Sequence, residues 1–165
     1  MTIFDHLRTT PWEPTFNWLP TIEESANRIN VWHEDYPLRV APTAIRIKRI
    51  GKQLQKGHIL NYRVESSLLM RLHRSLWLES WAGRWREGRV QVGAHIPPPP
   101  EELNDLMAEL ERRSAPNNMI DLLDWYRGFE TIHPFQDGNG RVGGIVVAVY
   151  SHYLHPDKGW LGPNQ

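Results

Sequence analysis

No cysteine occurs anywhere in the 165 residues, which excludes disulfides and thiolate metal sites. Excess charge of either sign is missing too, since 19 Lys and Arg balance 19 Asp and Glu. A general nucleic-acid binder carries a basic surplus, so no specific nucleic-acid partner is expected. No apolar run is long enough to span a bilayer. The segment Met1–Arg8 lacks the basic patch and apolar stretch of a signal peptide. A cytoplasmic protein without a membrane partner is therefore expected. Internal repeats and low-complexity tails are absent as well. What is present is a 40% hydrophobic content with eight tryptophans, enough for one core at this length.

Helical spacing dominates the chain. Residues 1–20, rich in Pro and Trp, read as an irregular arm whose aromatics pack on the body. Thr21-Ile22-Glu23-Glu24 has the pattern of a capping box, followed by Ile22, Ala26, Ile29 and Trp32 on one face, with Pro37 as the stop. A second helix is expected over Thr43–Lys56, buried through Ala44, Ile47, Ile50 and Leu54 and closed by Gly57. A third is expected over Glu65–Leu78, buried through Leu68, Leu69, Leu72 and Leu76. The stretch Val90-Gln91-Val92-Gly93-Ala94-His95-Ile96 suits a short hairpin, ended by Pro97–Pro100. A helix follows from Pro100, with Leu103, Leu106, Met107 and Leu110 inward. Asn117 or Asn118 caps the next helix, expected to bury Ile120, Leu123 and Phe129. The last begins near Gly140 and buries Ile145, Val146 and Val149. The fold expected is mainly all-α with one β-hairpin. Residues 1–64 would pack on a core of residues 65–165 in a single compact domain.

One stretch concentrates chemistry: His133-Pro134-Phe135-Gln136-Asp137-Gly138-Asn139-Gly140-Arg141. Pro134 drives His133 out of the α region and ends the preceding helix at about Ile132. Phe135 is the loop's apolar anchor. Gly138 and Gly140 permit tight or left-handed backbone and close approach of a ligand. Successive N–H groups there, joined by a helix N-terminus, make an anion nest. Arg141 in the first turn opposes the helix dipole unless an anion is bound. Asp137 beside a phosphate calls for a bridging Mg²⁺. His133 has the ordinary pKa of a proton acceptor near neutral pH. Plainer roles exist for each residue: Asp137 or Asn139 as N-cap, Arg141 paired with Asp137, His133 as a structural histidine. His73, His95, Trp81 and Trp85 read as packing residues, though the two tryptophans also suit base stacking.

The loop resembles the Fic signature, His-x-Phe-x-(Asp/Glu)-Gly-Asn-Gly-Arg-x-x-Arg, through Arg141. Leu72–Leu76, Ala82–Arg86, the Val90–Ile96 hairpin with its prolines, and Asp124–Ile132 are also similar to Fic core elements, so the resemblance spans roughly 65–155. It implies a Mg²⁺-dependent transferase that moves a nucleoside monophosphate, AMP above all, from ATP or another phosphate-containing donor to a Ser, Thr or Tyr hydroxyl of a protein. His133 would be the general base and Asp137 the Mg²⁺ ligand. Gly138, Asn139 and Gly140 would form the anion hole, and Arg141 would grip phosphate. The target would dock along the hairpin by strand addition, and a separate inhibitory protein is a further implied partner. A binding module with weak catalysis and a hydrolase that removes the modification are alternatives. The second signature arginine is replaced by Gly144. In the family it meets the terminal phosphate and an inhibitory glutamate from a Ser/Thr-x-x-x-Glu-Gly/Asn helix. The nearest such stretch, Ser75-Leu-Trp-Leu-Glu79-Ser80, reads as core helix, because Leu76 continues the face of Leu68 and Leu72.

Overall fold

The structure is a computed structural model that describes residues 15–56, 63–113 and 116–164. It is mainly helical, as the periodicity predicts. Strand β1 (Phe16–Leu19) leads into α1 (Ile22–Asn30), α2 (Val40–Gln55) and α3 (Ser66–Leu76). One turn of 3₁₀ helix, Pro100–Glu102, opens α4 (Leu103–Arg113), followed by α5 (Met119–Ile132), α6 (Asn139–Leu154) and β2 (Trp160–Pro163).

Helix α6 is the centre. Every residue from Arg141 to Ser151 is buried, as expected of a helix that is apolar all round. Helices α1, α2, α3 and α5 and strand β2 all pack on it. Two small residues set how closely they come. A Cβ on Gly143 would lie 3.1 Å from Phe129 of α5, and one on Gly144 would lie 2.9 Å from Ile29 of α1. The expected apolar faces of α2, α3 and α4 are buried as read. Thr21 caps α1 by accepting from the Glu24 N–H at 3.1 Å, and Asn118 caps α5 by accepting from Asp121 at 2.9 Å.

Four expectations are corrected. The end of the proline-rich arm is a strand: β1 pairs antiparallel with β2, with Phe16 opposite Pro163 and Leu19 opposite Trp160. Helix α1 stops at Asn30, well short of Pro37, because the Asn30 amide turns back to Ala26 O (2.8 Å) and Thr43 Oγ1 (3.1 Å). Trp32 therefore falls outside the helix and is 73% exposed. Ile120 lies in the first turn of α5, beyond the reach of the core, and is exposed, with Leu122 taking the buried position. The hairpin at 90–96 reduces to one antiparallel bridge, Val92 with His95, closed by two 2.9 Å hydrogen bonds. Gly57 lies outside the described residues.

Candidate active site

Helix α5 ends where Pro134 requires. His133 adopts the left-handed region (φ 52°, ψ 62°), and its N–H still closes the helix on Phe129 O at 2.9 Å. Left-handed geometry at a non-glycine residue is rare, so something must hold it. Arg86 does. Its buried guanidinium donates to His133 O (2.7 Å), Ile132 O (3.2 Å), Gly88 O (3.0 Å) and Pro98 O (2.5 Å), while its N–H donates to Pro134 O (2.8 Å). One cation thus satisfies the last carbonyls of α5 and ties three segments together.

The loop between α5 and α6 is braced from inside. The Asn139 amide spans it, accepting from Phe135 N and donating to Phe135 O, both at 2.8 Å. The Phe135 ring is fully buried and stacks on His73 at 3.9 Å. His73 is fully buried as well. Its Nδ1 accepts from Gly83 N–H, which makes Nε2 the donor to Asp137 O, both at 2.8 Å. His73 is therefore a fastener of the loop, and its burial lowers its pKa.

Helix α6 begins without a side-chain cap. Gly138 is the N-cap residue, at φ 82°, and has no side chain to offer. The capping role considered for Asp137 or Asn139 is thus excluded: Asn139 is spent on Phe135, and Asp137 Oδ1 accepts only from the Gly138 N–H at 2.8 Å. The N–H groups of Asn139, Gly140 and Arg141 open the helix and have no intrahelical acceptor. The exposed Asp137 carboxylate stands beside them. Asn139 can serve such a nest through its backbone alone.

Two cavities flank the loop. One, of about 500 Å³, is lined by Trp32, Asp35, Arg39, Trp77, Asp137 and Arg141 among others. The other, of about 370 Å³, is lined by Trp81, Arg84, Trp85 and Gln136 among others. Trp77 floors the first. The tryptophan ring lies so close to Gly138 that a Cβ there would come within 2.5 Å of it. The Arg141 guanidinium sits over the same ring at 4.7 Å. Arg141 does not pair with Asp137; its Nη1 meets Asp35 Oδ1 at 2.5 Å.

His133 and Glu130 face each other inside the site. The Glu130 carboxylate is buried and lies 3.9 Å from His133 Nδ1, too far for a hydrogen bond. Burial pushes Glu130 up to about 7 and His133 down to about 4. Between about pH 4 and 7 the pair is accordingly neutral, and the short spacing is not an ion pair. Glu130, Arg86, Trp77 and Asp35 were not singled out by role from the sequence. Only Arg86 and Glu130 fall in stretches that resembled Fic elements, and nothing in the spacing distinguishes them from surface residues.

A family model describing the Fic/DOC family matches residues 63–151. The chain belongs to the Fic/DOC family. It is 32% identical over 91 residues to a probable protein adenylyltransferase of Aquifex aeolicus (strain VF5), covering 51% of the chain and 28% of that protein. It is 35% identical over 71 residues to the protein adenylyltransferase Fic of Drosophila mojavensis, covering 39% of the chain and 14% of the relative. Among solved structures, a Fic-domain signaling protein from Bacteroides thetaiotaomicron VPI-5482 shares the fold, with a TM-score of 0.59 and 17% identity over 80% of the chain and 62% of that protein. A Fic family protein from Desulfovibrio desulfuricans G20 does so at TM-score 0.54 and 23% identity, over 81% and 43%. The chain spans less than a third of the length of these two adenylyltransferase relatives.

The Fic signature's departure at Gly144 has a structural counterpart. Gly144 faces Ile29 of α1, not the nest, so an arginine there would collide with α1 rather than reach a phosphate. Ile29 itself belongs to Ser25-Ala-Asn-Arg-Ile29-Asn30, which fits the Ser/Thr-x-x-x-Glu-Gly/Asn pattern except for isoleucine in place of glutamate. The pattern sits on α1 and not at Ser75–Ser80, where α3 ends at Leu76 and Glu79 is exposed. Gly144 and Ile29 meet in an apolar contact.

The two loop glycines should separate fold from function. Gly138→Ala adds a side chain at positive φ against Trp77, and is expected to cost on the order of 3 kcal/mol of stability. At Gly140 a Cβ meets nothing within 4 Å. Gly140→Ala should therefore melt at or slightly above the wild-type temperature, yet weaken anion binding by crowding the free N–H groups. Thermal melts and nucleotide calorimetry on both variants check this. Unchanged nucleotide affinity in Gly140→Ala would count against a ligand at that helix end.

Proposed function

We propose that the protein transfers a nucleoside monophosphate, AMP most readily, from a nucleotide to a Ser, Thr or Tyr hydroxyl of a target protein. The observation that carries this is the uncapped start of α6. Its first N–H groups have no intrahelical acceptor, and they stand in the same loop as the exposed Asp137 carboxylate and His133. Donors in this position stabilise negative charge that develops on a phosphoryl group. In this reading the donor's phosphates lie over the nest. The neutral His133 takes the hydroxyl proton as the hydroxyl oxygen bonds to the α-phosphorus. The bond to the remaining phosphates breaks, and they leave with the electron pair.

Asp137 fits a Mg²⁺ ion. Among the described residues no group of three or more His, Cys, Asp or Glu side chains could hold a metal. A single exposed carboxylate with the ligand's own phosphates is how Mg²⁺ is usually bound. The ion would offset phosphate charge beside that carboxylate. The target would approach along Val90–Ile96. Gln91 and Ile96 are exposed there, whereas His95 is buried with Nε2 2.9 Å from Thr131 O, so it anchors the turn. No described helix is long and apolar enough to cross a membrane.

The test is incubation with each labelled nucleoside triphosphate, Mg²⁺ and a cell lysate. Label should appear on protein, with the adenine nucleotide most strongly. Its absence with every donor would overturn the proposal. Asp137→Ala is expected to lose the Mg²⁺-dependent part of nucleotide affinity while melting within about 1 kcal/mol of wild type, since its carboxylate makes one exposed local contact. Equal nucleotide affinity with Mg²⁺ and with chelator in both proteins would remove the metal role.

A further inference from the structure

The carboxylate of Asp35 is held between two guanidinium groups. Its Oδ1 accepts from Arg141 Nη1 at 2.5 Å, and its Oδ2 accepts from Arg39 Nε at 3.1 Å. Both cations rest on one face-forming ring, with Arg141 at 4.7 Å and Arg39 at 5.9 Å from the centroid of Trp77. Arg39 is fixed from behind, donating through Nη1 to Leu76 O at the end of α3. Arg141 is buried, and its Nε has no hydrogen-bond partner among the described residues. A buried guanidinium with an orphaned donor is an incomplete arrangement. All of this lines the 500 Å³ cavity beside the nest.

A carboxylate and a phosphate present similar oxygen pairs to an arginine fork. We propose that Arg39 and Arg141 are a two-guanidinium clasp for the donor's polyphosphate, and that Asp35 occupies it as an internal substitute which the phosphates displace. The inference rests on the nucleotide reading above. It gives the site a second phosphate cation from outside the signature, where position 144 supplies none. Charge explains why Asp35 must leave. Glu34, Asp35, Glu79 and Asp137 line the cavity against only Arg39 and Arg141. A polyphosphate enters that field only when Asp35 vacates both guanidiniums. Asp35 is placed to do so, since it lies in the turns of residues 31–39 and its side chain is 29% exposed. A phosphate lodged there also gives the Arg141 Nε an acceptor.

The probes are inorganic pyrophosphate, ATP and AMP, each with Mg²⁺, titrated calorimetrically into wild type, Arg39→Ala and Asp35→Asn. Arg39→Ala should weaken pyrophosphate and ATP by on the order of tenfold or more, the worth of a charge-assisted hydrogen bond. It should leave AMP within about threefold, because a single phosphate is satisfied by the nest. Asp35→Asn should tighten pyrophosphate and ATP by roughly tenfold, since the competing charge is gone and the shape is kept. Unchanged pyrophosphate affinity in Arg39→Ala, or weakened affinity in Asp35→Asn, overturns the clasp. If Arg39→Ala unfolds through loss of its Leu76 contact, Asp35→Asn decides alone: tighter binding supports the clasp and equal binding overturns it. The two readings fail separately. Labelled transfer by wild type with no response to either substitution sinks the clasp only. Pyrophosphate binding that responds to both, with no nucleotide bound and no transfer, sinks the transferase reading only.

Discussion

Replacing His133 by alanine is expected to lower the rate of transfer by about 10²–10⁴ while leaving nucleotide affinity within a few-fold. The histidine is presented by the left-handed end of α5, its backbone fixed by Arg86, at the other end of the loop in sequence from the helix start that would hold the phosphates. It should act on the incoming hydroxyl and not on the bound donor. Burial is the main reason its pKa falls to about 4, with the backbone carbonyl of Glu130 opposing the fall and the Arg86 and His95 charges adding to it. The imidazole is therefore neutral, and able to take a proton, well below the usual histidine range. The acid limb of kcat/KM should lie near 4 rather than near 6.5. The same shift affects folding. A histidine depressed in the native state contributes stability that is complete above about 6.5 and is lost as pH falls toward 4. His133→Ala should flatten that acid slope. An unchanged turnover, or a collapse of nucleotide binding, would sink the assignment of His133 as the base.

Arg86→Ala is expected to be the most damaging single change to the fold around the site. The side chain is 4% exposed and donates to four carbonyls without an acidic partner. Burial lowers its pKa, with Arg89 contributing, though a guanidinium stays charged. Removing it leaves several buried acceptors unpaired, including the last two carbonyls of α5. The loss should be on the order of 3 kcal/mol, or roughly 10 °C in melting temperature for a chain of this size. Arg86→Lys keeps the charge but not the fork, and should fall between the two. Transfer should drop in both variants because His133 loses what holds its backbone. A melting loss below about 1 kcal/mol in Arg86→Ala would show that the carbonyls find other donors.

The helices were legible because their apolar faces repeat at 3.6 residues and their caps are written in residue type: Thr21 and Asn118 are examples. The loop was legible because Pro134 ends the preceding helix at Ile132 and Gly138 permits the left-handed backbone it adopts. Long-range pairing was not. Strand β1 exists only because β2, far along the chain, supplies its partner, and the four residues Phe16–Leu19 carry no sign of that. Arg86 gave no hint of its role, since a cation satisfied entirely by carbonyls leaves no complementary acid to look for. The pairing of Arg141 with Asp35 spans 106 positions, and the sequence suggested the local carboxylate of Asp137 in its place.

The closed surroundings of α6 bear on how such a site can acquire new preferences. A helix enclosed from Arg141 to Ser151 has no slack, and Gly143 and Gly144 already sit at contact distance from α5 and α1. Divergence toward another donor or another target cannot easily proceed through that helix without dismantling the core. It is left to the rim: the turns carrying Asp35 and Arg39, the bend around Trp77 and Trp81, and the turn at Val92–His95. The fixed helix then serves as a chassis, and the variable chemistry is bolted on around it.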